Sequence, residues 1–120
     1  MSKKLFAWFA IFSFVIVSAG LLSAMAHEGS WTGEVIDVTC HVAKGAKGAG
    51  HAECGAKCVK AGLPVGLLVN GTTYLLINAD HTPANAKLAD HVSHTVTVTG
   101  AKFESAGANV IVMKDFKMAQ

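Results

Sequence analysis

Asn70-Gly71 stands between two apolar runs rich in β-branched residues, Val65–Val69 and Thr72–Asn78. A two-residue Asn-Gly link closes a hairpin whose turn residues both take positive φ. It therefore fixes the pairing of its two strands and commits the middle of the chain to antiparallel β structure. Downstream, residues 95–99 read Thr-Val-Thr-Val-Thr. This period of two turns Val96 and Val98 to a core and the threonines away from it. Gly100 ends that strand, a turn forms around Gly107, and residues 110–118 supply the last strand. Upstream, residues 31–40 read as the first strand, on Val35, Ile36, Val38 and Thr39. The expected core is Leu67, Tyr74, Leu76, Val96, Val98, Val110 and Val112.

Two short helices interrupt the strands. Residues 51–61 form the first, with Gly62 as its cap and Pro64 blocking continuation. The second starts with Thr82 as N-cap and Pro83 at its first position and ends near His91. Residues 41–50, rich in Gly, Ala and Lys, read as a mobile loop. The order strand, helix, hairpin, helix, hairpin predicts a mainly β fold with two short helices. Its expected form is a small five-stranded, partly open barrel of the OB type, with a β-sandwich as the alternative.

The first 26 residues carry a different signal. Lys3 and Lys4 precede an apolar stretch from Leu5 to Leu22, and Ala24-Met25-Ala26 gives the small-x-small pattern of a cleavage site. Residues 1–26 are therefore expected to be a signal peptide, and residues 27–120 a single OB-like barrel domain in the periplasm or secreted. No membrane anchor is expected to remain after cleavage. All ten basic residues are lysine, and those beyond Lys4 balance the eight acidic ones. A near-neutral domain without arginine lacks the cationic contacts that nucleic-acid binding needs.

Chemistry concentrates between Asp37 and Cys58, in Asp-Val-Thr-Cys-His and then His-Ala-Glu-Cys-Gly-Ala-Lys-Cys. His51, Cys54 and Cys58 are spaced i, i+3 and i+7, which aligns them along one helical stripe. Gly55 and Gly62 leave room on that face. If the 41–50 loop folds back, Cys40 joins them, and three thiols with one imidazole suit zinc or copper. The candidate metal ligands are Cys40, His51, Cys54 and Cys58, with His41 and His27 as secondary candidates. His27 would be the mature N-terminus, able to present an amino group and an imidazole together, with a partner from His81, His91 or His94.

The same cysteines admit other readings. An exported domain of this size gains from a staple, and a disulfide from Cys40 to Cys54 or Cys58 would tie strand to helix. A Cys54–Cys58 bridge within one helix fits disulfide geometry poorly. A thiol-redox site is a third reading, but Cys-x-x-x-Cys without a βαβ unit is not the usual redox motif. No carboxylate pair or nucleophile elbow marks a hydrolase, and no catalytic residue is assigned.

The segments TGEVIDVTC, HAECGAKCVKAGLPVGLLVNGTTYLLIN, HTVTVTGAKF and ANVIVMKDF resemble a group of small exported bacterial proteins. These share a Gly-x-Val/Ile-x-Asp-x-x-Cys strand, a Cys-x-x-x-Cys helix and a terminal hairpin. Gly33, Asp37, Cys40, Cys54, Cys58 and Gly100 occupy the matching positions. The resemblance implies an OB-like barrel and supplies no activity. The expected function is a non-enzymatic exported protein binding zinc or copper through the Cys/His cluster, its partner a metal ion or another exported protein. The alternatives are a disulfide-stapled binding or structural module without metal, and a thiol-redox protein.

Overall fold

The computed structural model describes residues 26–120; residues 1–25, on which most of the signal-peptide expectation falls, lie outside it. The described elements are β1 (His27–Asp37), α1 (Val38–Lys44), a 3-10 turn (Ala49–His51), α2 (Ala52–Lys60), β2 (Val65–Val69), β3 (Thr72–Asn78), α3 (Asn85–Leu88), a second 3-10 turn (Ala89–His91), β4 (Thr95–Ser105) and β5 (Ala108–Met118). The strands close into a barrel in the order β1-β2-β3-β5-β4. The barrel is fully closed rather than partly open, because the eleven-residue β1 is long enough to pair with two neighbours. Its first half runs antiparallel to β4, from His27↔Lys102 to Glu34↔Thr95. Its second half runs antiparallel to β2, from Glu34↔Leu68 to Asp37↔Val65. β3 and β5 pair in parallel, the one parallel ladder of the barrel. This is the expected OB-like architecture, with every strand paired to two neighbours.

The hairpin turn forms as its sequence demands, with Asn70 at φ 47° and Gly71 at 81°. Ala106 and Gly107 repeat the pattern between β4 and β5, at φ 53° and 75°. Gly100 does not end β4. The strand continues through a bulge at Thr99/Gly100, where the register to β5 steps from Asp115 to Met113. A Cβ at Gly100 would run into the Val112 carbonyl oxygen, so glycine is required there for a close strand approach.

Inside the barrel lie Val35, Leu67, Tyr74, Leu76, Val96, Val98, Ile111 and Met113. Val59 of α2, Leu88 of α3, and Ala89 and Val92 after it belong to the same cluster. Val110 and Val112, expected in the core, are half-buried instead; the fully apolar run 110–113 carries no alternation to choose a face, and Ile111 and Met113 point inward.

Three local expectations are corrected. The first strand stops at Asp37, because the Asp37 side chain accepts from the backbone N–H groups of Thr39 and Cys40 and starts α1. The 41–50 segment is therefore part helix and part anchored loop. The Thr82 hydroxyl donates to Asp80 rather than capping a helix, and Pro83 bridges to Ile77, so α3 starts only at Asn85.

Candidate metal centre

The centre lies where β1 leaves the barrel. Asp37, the last residue of β1, is wholly buried. Its Oδ1 accepts from Thr39 N at 3.0 Å and Cys40 N at 3.3 Å. Starting a helix in this way leaves Oδ2 free, and Oδ2 has no hydrogen-bond partner. Cys40 stands three residues on, in the first turn of α1.

His51 arrives from the other side of the loop. Gly45 closes α1 in the left-handed conformation, its N–H donating to the Cys40 and His41 carbonyls. Gly48 is then pinned twice: its N–H donates to Glu34 Oε2 at 2.9 Å, and its carbonyl accepts from Ser93 Oγ at 2.6 Å. His51 N donates to Gly48 O at 2.9 Å, which tightens the 3-10 turn leading into α2. The His51 ring packs beside Gly55. A Cβ at Gly55 would stand 2.6 Å from Val92 Cγ1 and 3.1 Å from His51 Cδ2. The ring thus occupies space that only glycine leaves.

The result brings Asp37, Cys40 and His51 together, one ligand atom from each lying within 4.8 Å of the others. His51 Nε2 is 3.8 Å from Asp37 Oδ2 and, like it, is buried without a hydrogen-bond partner. A carboxylate oxygen, a thiol sulfur and an imidazole nitrogen converging from three elements form a mixed O, S, N donor set.

The ionisation of the cluster is arranged around Asp37. Burial acts to raise its carboxyl, but hydrogen bonds from the Cys40 thiol and N–H, the Cys58 thiol and Thr39 N–H outweigh it and hold it below its usual value. The thiols respond in the opposite sense. Donation to Asp37, with burial and the Asp37 charge, raises Cys40. Burial, the hydrogen bond to Asp37 and that same charge push Cys58 up to about 11.

The other expected ligands are placed as follows. Cys58 is half-buried on α2, outside the group of ligand atoms that lie within 4.8 Å of one another, and it bears on the centre through the ionisation of Asp37. Cys54 is exposed on α2. His41 Nδ1 lies 3.1 Å from the Ala46 carbonyl and serves its own loop. His27 is at the far end of β1 from Asp37, beside Lys102. All three cysteines are free thiols, so the alternative bridge from Cys40 to Cys54 or Cys58 is not made. Asp37 was not among the expected ligands. Its signal was present, since an Asp three residues before Cys40 at the end of a strand can cap a helix and stay beside that cysteine.

No family model, curated protein or solved structure matches this chain, so fold and site carry the functional argument. They define a small OB-like barrel with a candidate metal cluster at the exit of its first strand.

Proposed function

We propose that this chain is a non-enzymatic zinc-binding protein working outside the cytoplasm, with Asp37, Cys40 and His51 as ligands and Cys58 completing the set. The observation that carries this reading is the pair of buried, unpartnered atoms, Asp37 Oδ2 and His51 Nε2, within 4.8 Å of a thiol. Buried polar atoms left unsatisfied cost about 1–3 kcal/mol each, and a cation bonded to both removes that cost. Zinc accepts oxygen, nitrogen and sulfur in a tetrahedral shell, whereas copper(I) selects soft sulfur ligands, so the carboxylate favours zinc over copper. The apolar segment 5–22 and its Ala-Met-Ala site support export to the periplasm or beyond. A thiol-redox role is disfavoured, because thiols raised by a neighbouring carboxylate carry little thiolate at neutral pH.

The test is titration of the reduced protein with zinc against a chromophoric chelator. One zinc per chain is expected, with binding weakened at least about tenfold, or about 1.4 kcal/mol, by each of Asp37→Asn, Cys40→Ser and His51→Ala. Absence of zinc uptake, or variants that bind like the parent, overturns the reading. Tighter and stoichiometric uptake of copper(I) would replace zinc with copper.

A further inference from the structure

His91 and His94 take no part in the buried centre, and they meet each other rather than His27. His91 ends the second 3-10 turn and His94 immediately precedes β4. Between them Ser93 takes φ 74°, a left-handed backbone that serine rarely adopts. Four hydrogen bonds hold this turn. Ser93 N donates to Val35 O at 2.7 Å, and Val35 N donates to His94 O at 2.9 Å. His94 N donates to His91 O at 2.9 Å, and Ser93 Oγ donates to Gly48 O at 2.6 Å. Val92, buried beside them, roots the turn in the core. Phe116 of β5 backs the His91 ring edge to face, with ring centroids 5.1 Å apart. The barrel wall thus presents two imidazoles on a fixed turn, His91 half-buried and His94 exposed.

The two rings stand edge to face, and their Nδ1 atoms lie 3.5 Å apart. An N–H donor usually comes within roughly 2.7–3.2 Å of its acceptor, so the gap is long for a hydrogen bond between the rings. It is close to the separation a metal ion imposes. Two nitrogens bonded at about 2.0–2.1 Å in a tetrahedral shell stand about 3.3–3.4 Å apart. We propose that His91 and His94 form a surface zinc site, separate from the buried centre. Each neutral imidazole gives the ion its Nδ1 lone pair and keeps its proton on Nε2. Two protein ligands leave the other positions of the shell to water, so a carboxylate, imidazole or thiolate of an incoming molecule can enter it. A chromophoric chelator strips zinc from such a site, which therefore adds nothing to the one-zinc stoichiometry expected of the buried centre.

The test adds zinc alone, without chelator, to the reduced protein and follows the ring C–H proton signals of His91 and His94 by NMR. Both sets of signals are expected to respond together below about 1 mM zinc. The response should persist in Cys40→Ser, which lacks a ligand of the buried centre. His94→Asn keeps a hydrogen-bonding group near the Nδ1 position but offers no imidazole, and it should weaken the response of His91 at least about tenfold. Rings that stay unmoved at about 1 mM zinc overturn the proposal and leave the pair a hydrogen bond only. So does a His91 response in His94→Asn equal to that of the parent, or one lost in Cys40→Ser, which would make the rings reporters of the buried centre. A parent that takes up no zinc in competition with the chelator sinks the buried centre alone, since the ring signals read this site directly.

Discussion

Asp37 Oδ2 faces His51 Nε2 across 3.8 Å, with no hydrogen bond to either atom. The gap is too long for a hydrogen bond. A tetrahedral zinc bonded to both at about 2.0–2.2 Å would hold them about 3.3 Å apart, a closure of about half an ångström. Asp37 has two tasks divided between its oxygens: Oδ1 caps α1, and Oδ2 faces the cluster.

That division separates two substitutions. Asp37→Asn keeps an oxygen for the cap and removes the charge. It should leave the metal-free protein folded while weakening zinc binding at least about tenfold, or about 1.4 kcal/mol. Asp37→Ala also removes the cap and should cost a further 0.5–2 kcal/mol or so of stability. Denaturation curves of the two metal-free variants, set beside their zinc titrations, check the separation.

Gly55→Ala tests the packing behind His51. In an ordinary helix interior, Gly→Ala stabilises by roughly 0.5–1 kcal/mol. Here the new methyl would meet Val92 Cγ1 at 2.6 Å and His51 Cδ2 at 3.1 Å. The expected result is destabilisation of about 1–3 kcal/mol, as for an overpacked core, together with weaker zinc binding. Adding Val92→Ala should recover part of the stability, since it removes the nearer clash. A stabilised Gly55→Ala protein would mean that the ring does not occupy this place.

The legibility of this molecule in its sequence follows the strength of each local rule. Asn70-Gly71 and the alternating Thr-Val run are rules with a single outcome, and the hairpin and the inward Val96 and Val98 stand where they predict. The start of α1 was hidden because Val38 and Thr39 are β-branched, which argues for a strand, while one side chain, Asp37, caps a helix over them. The 41–50 segment looked mobile because glycine marks freedom in a sequence. What pins it are Glu34 and Ser93, 14 and 45 residues away from Gly48, and no local pattern reveals such tethers. Cys40 and His51 were visible as donors by type. Their meeting at a buried carboxylate depends on the barrel bringing β1 and α2 together.

Protonation of the thiols gives the metal-free protein a pH signature. The folded value of Cys58, about 11, lies above its ordinary value of 9.0. The unfolded chain therefore loses this proton first as pH rises. Stability from the neutral thiol is complete below pH 9, declines above it and is lost through about pH 11. Cys40 is shifted in the same direction. Asp37 behaves oppositely: its carboxyl is held below 3.8, so its contribution is present above that value and lost as pH falls through the folded one. Denaturation midpoints of the reduced, metal-free protein should fall between pH 9 and 11, and Cys58→Ser should flatten that slope. Zinc binding to the folded protein should strengthen with pH up to about 11, the folded value of Cys58, because the ion must displace thiol protons. A zinc affinity independent of pH would exclude the cysteines as ligands.

The facing of β5 decides the interior of the barrel. Residues 110–113 read Val-Ile-Val-Met, so hydrophobicity alone fits either face, and a shift of one residue exchanges them. The bulge at Thr99/Gly100 breaks the β4–β5 register, and beyond it Ala101 pairs with Val112 and Lys102 with Ile111. Ile111 is wholly buried and Met113 nearly so, while Val110 and Val112 are half-buried. Ile111→Ala should therefore cost about 2–5 kcal/mol by lost burial and a residual cavity. Val112→Ala, on a partly solvated face, should cost less than half as much. Val98→Ala, on the opposing strand and fully buried, should cost about 1–3 kcal/mol. Urea denaturation of the three variants ranks them directly. A Val112→Ala protein less stable than Ile111→Ala would turn β5 over and move Ile111 and Met113 out of the core.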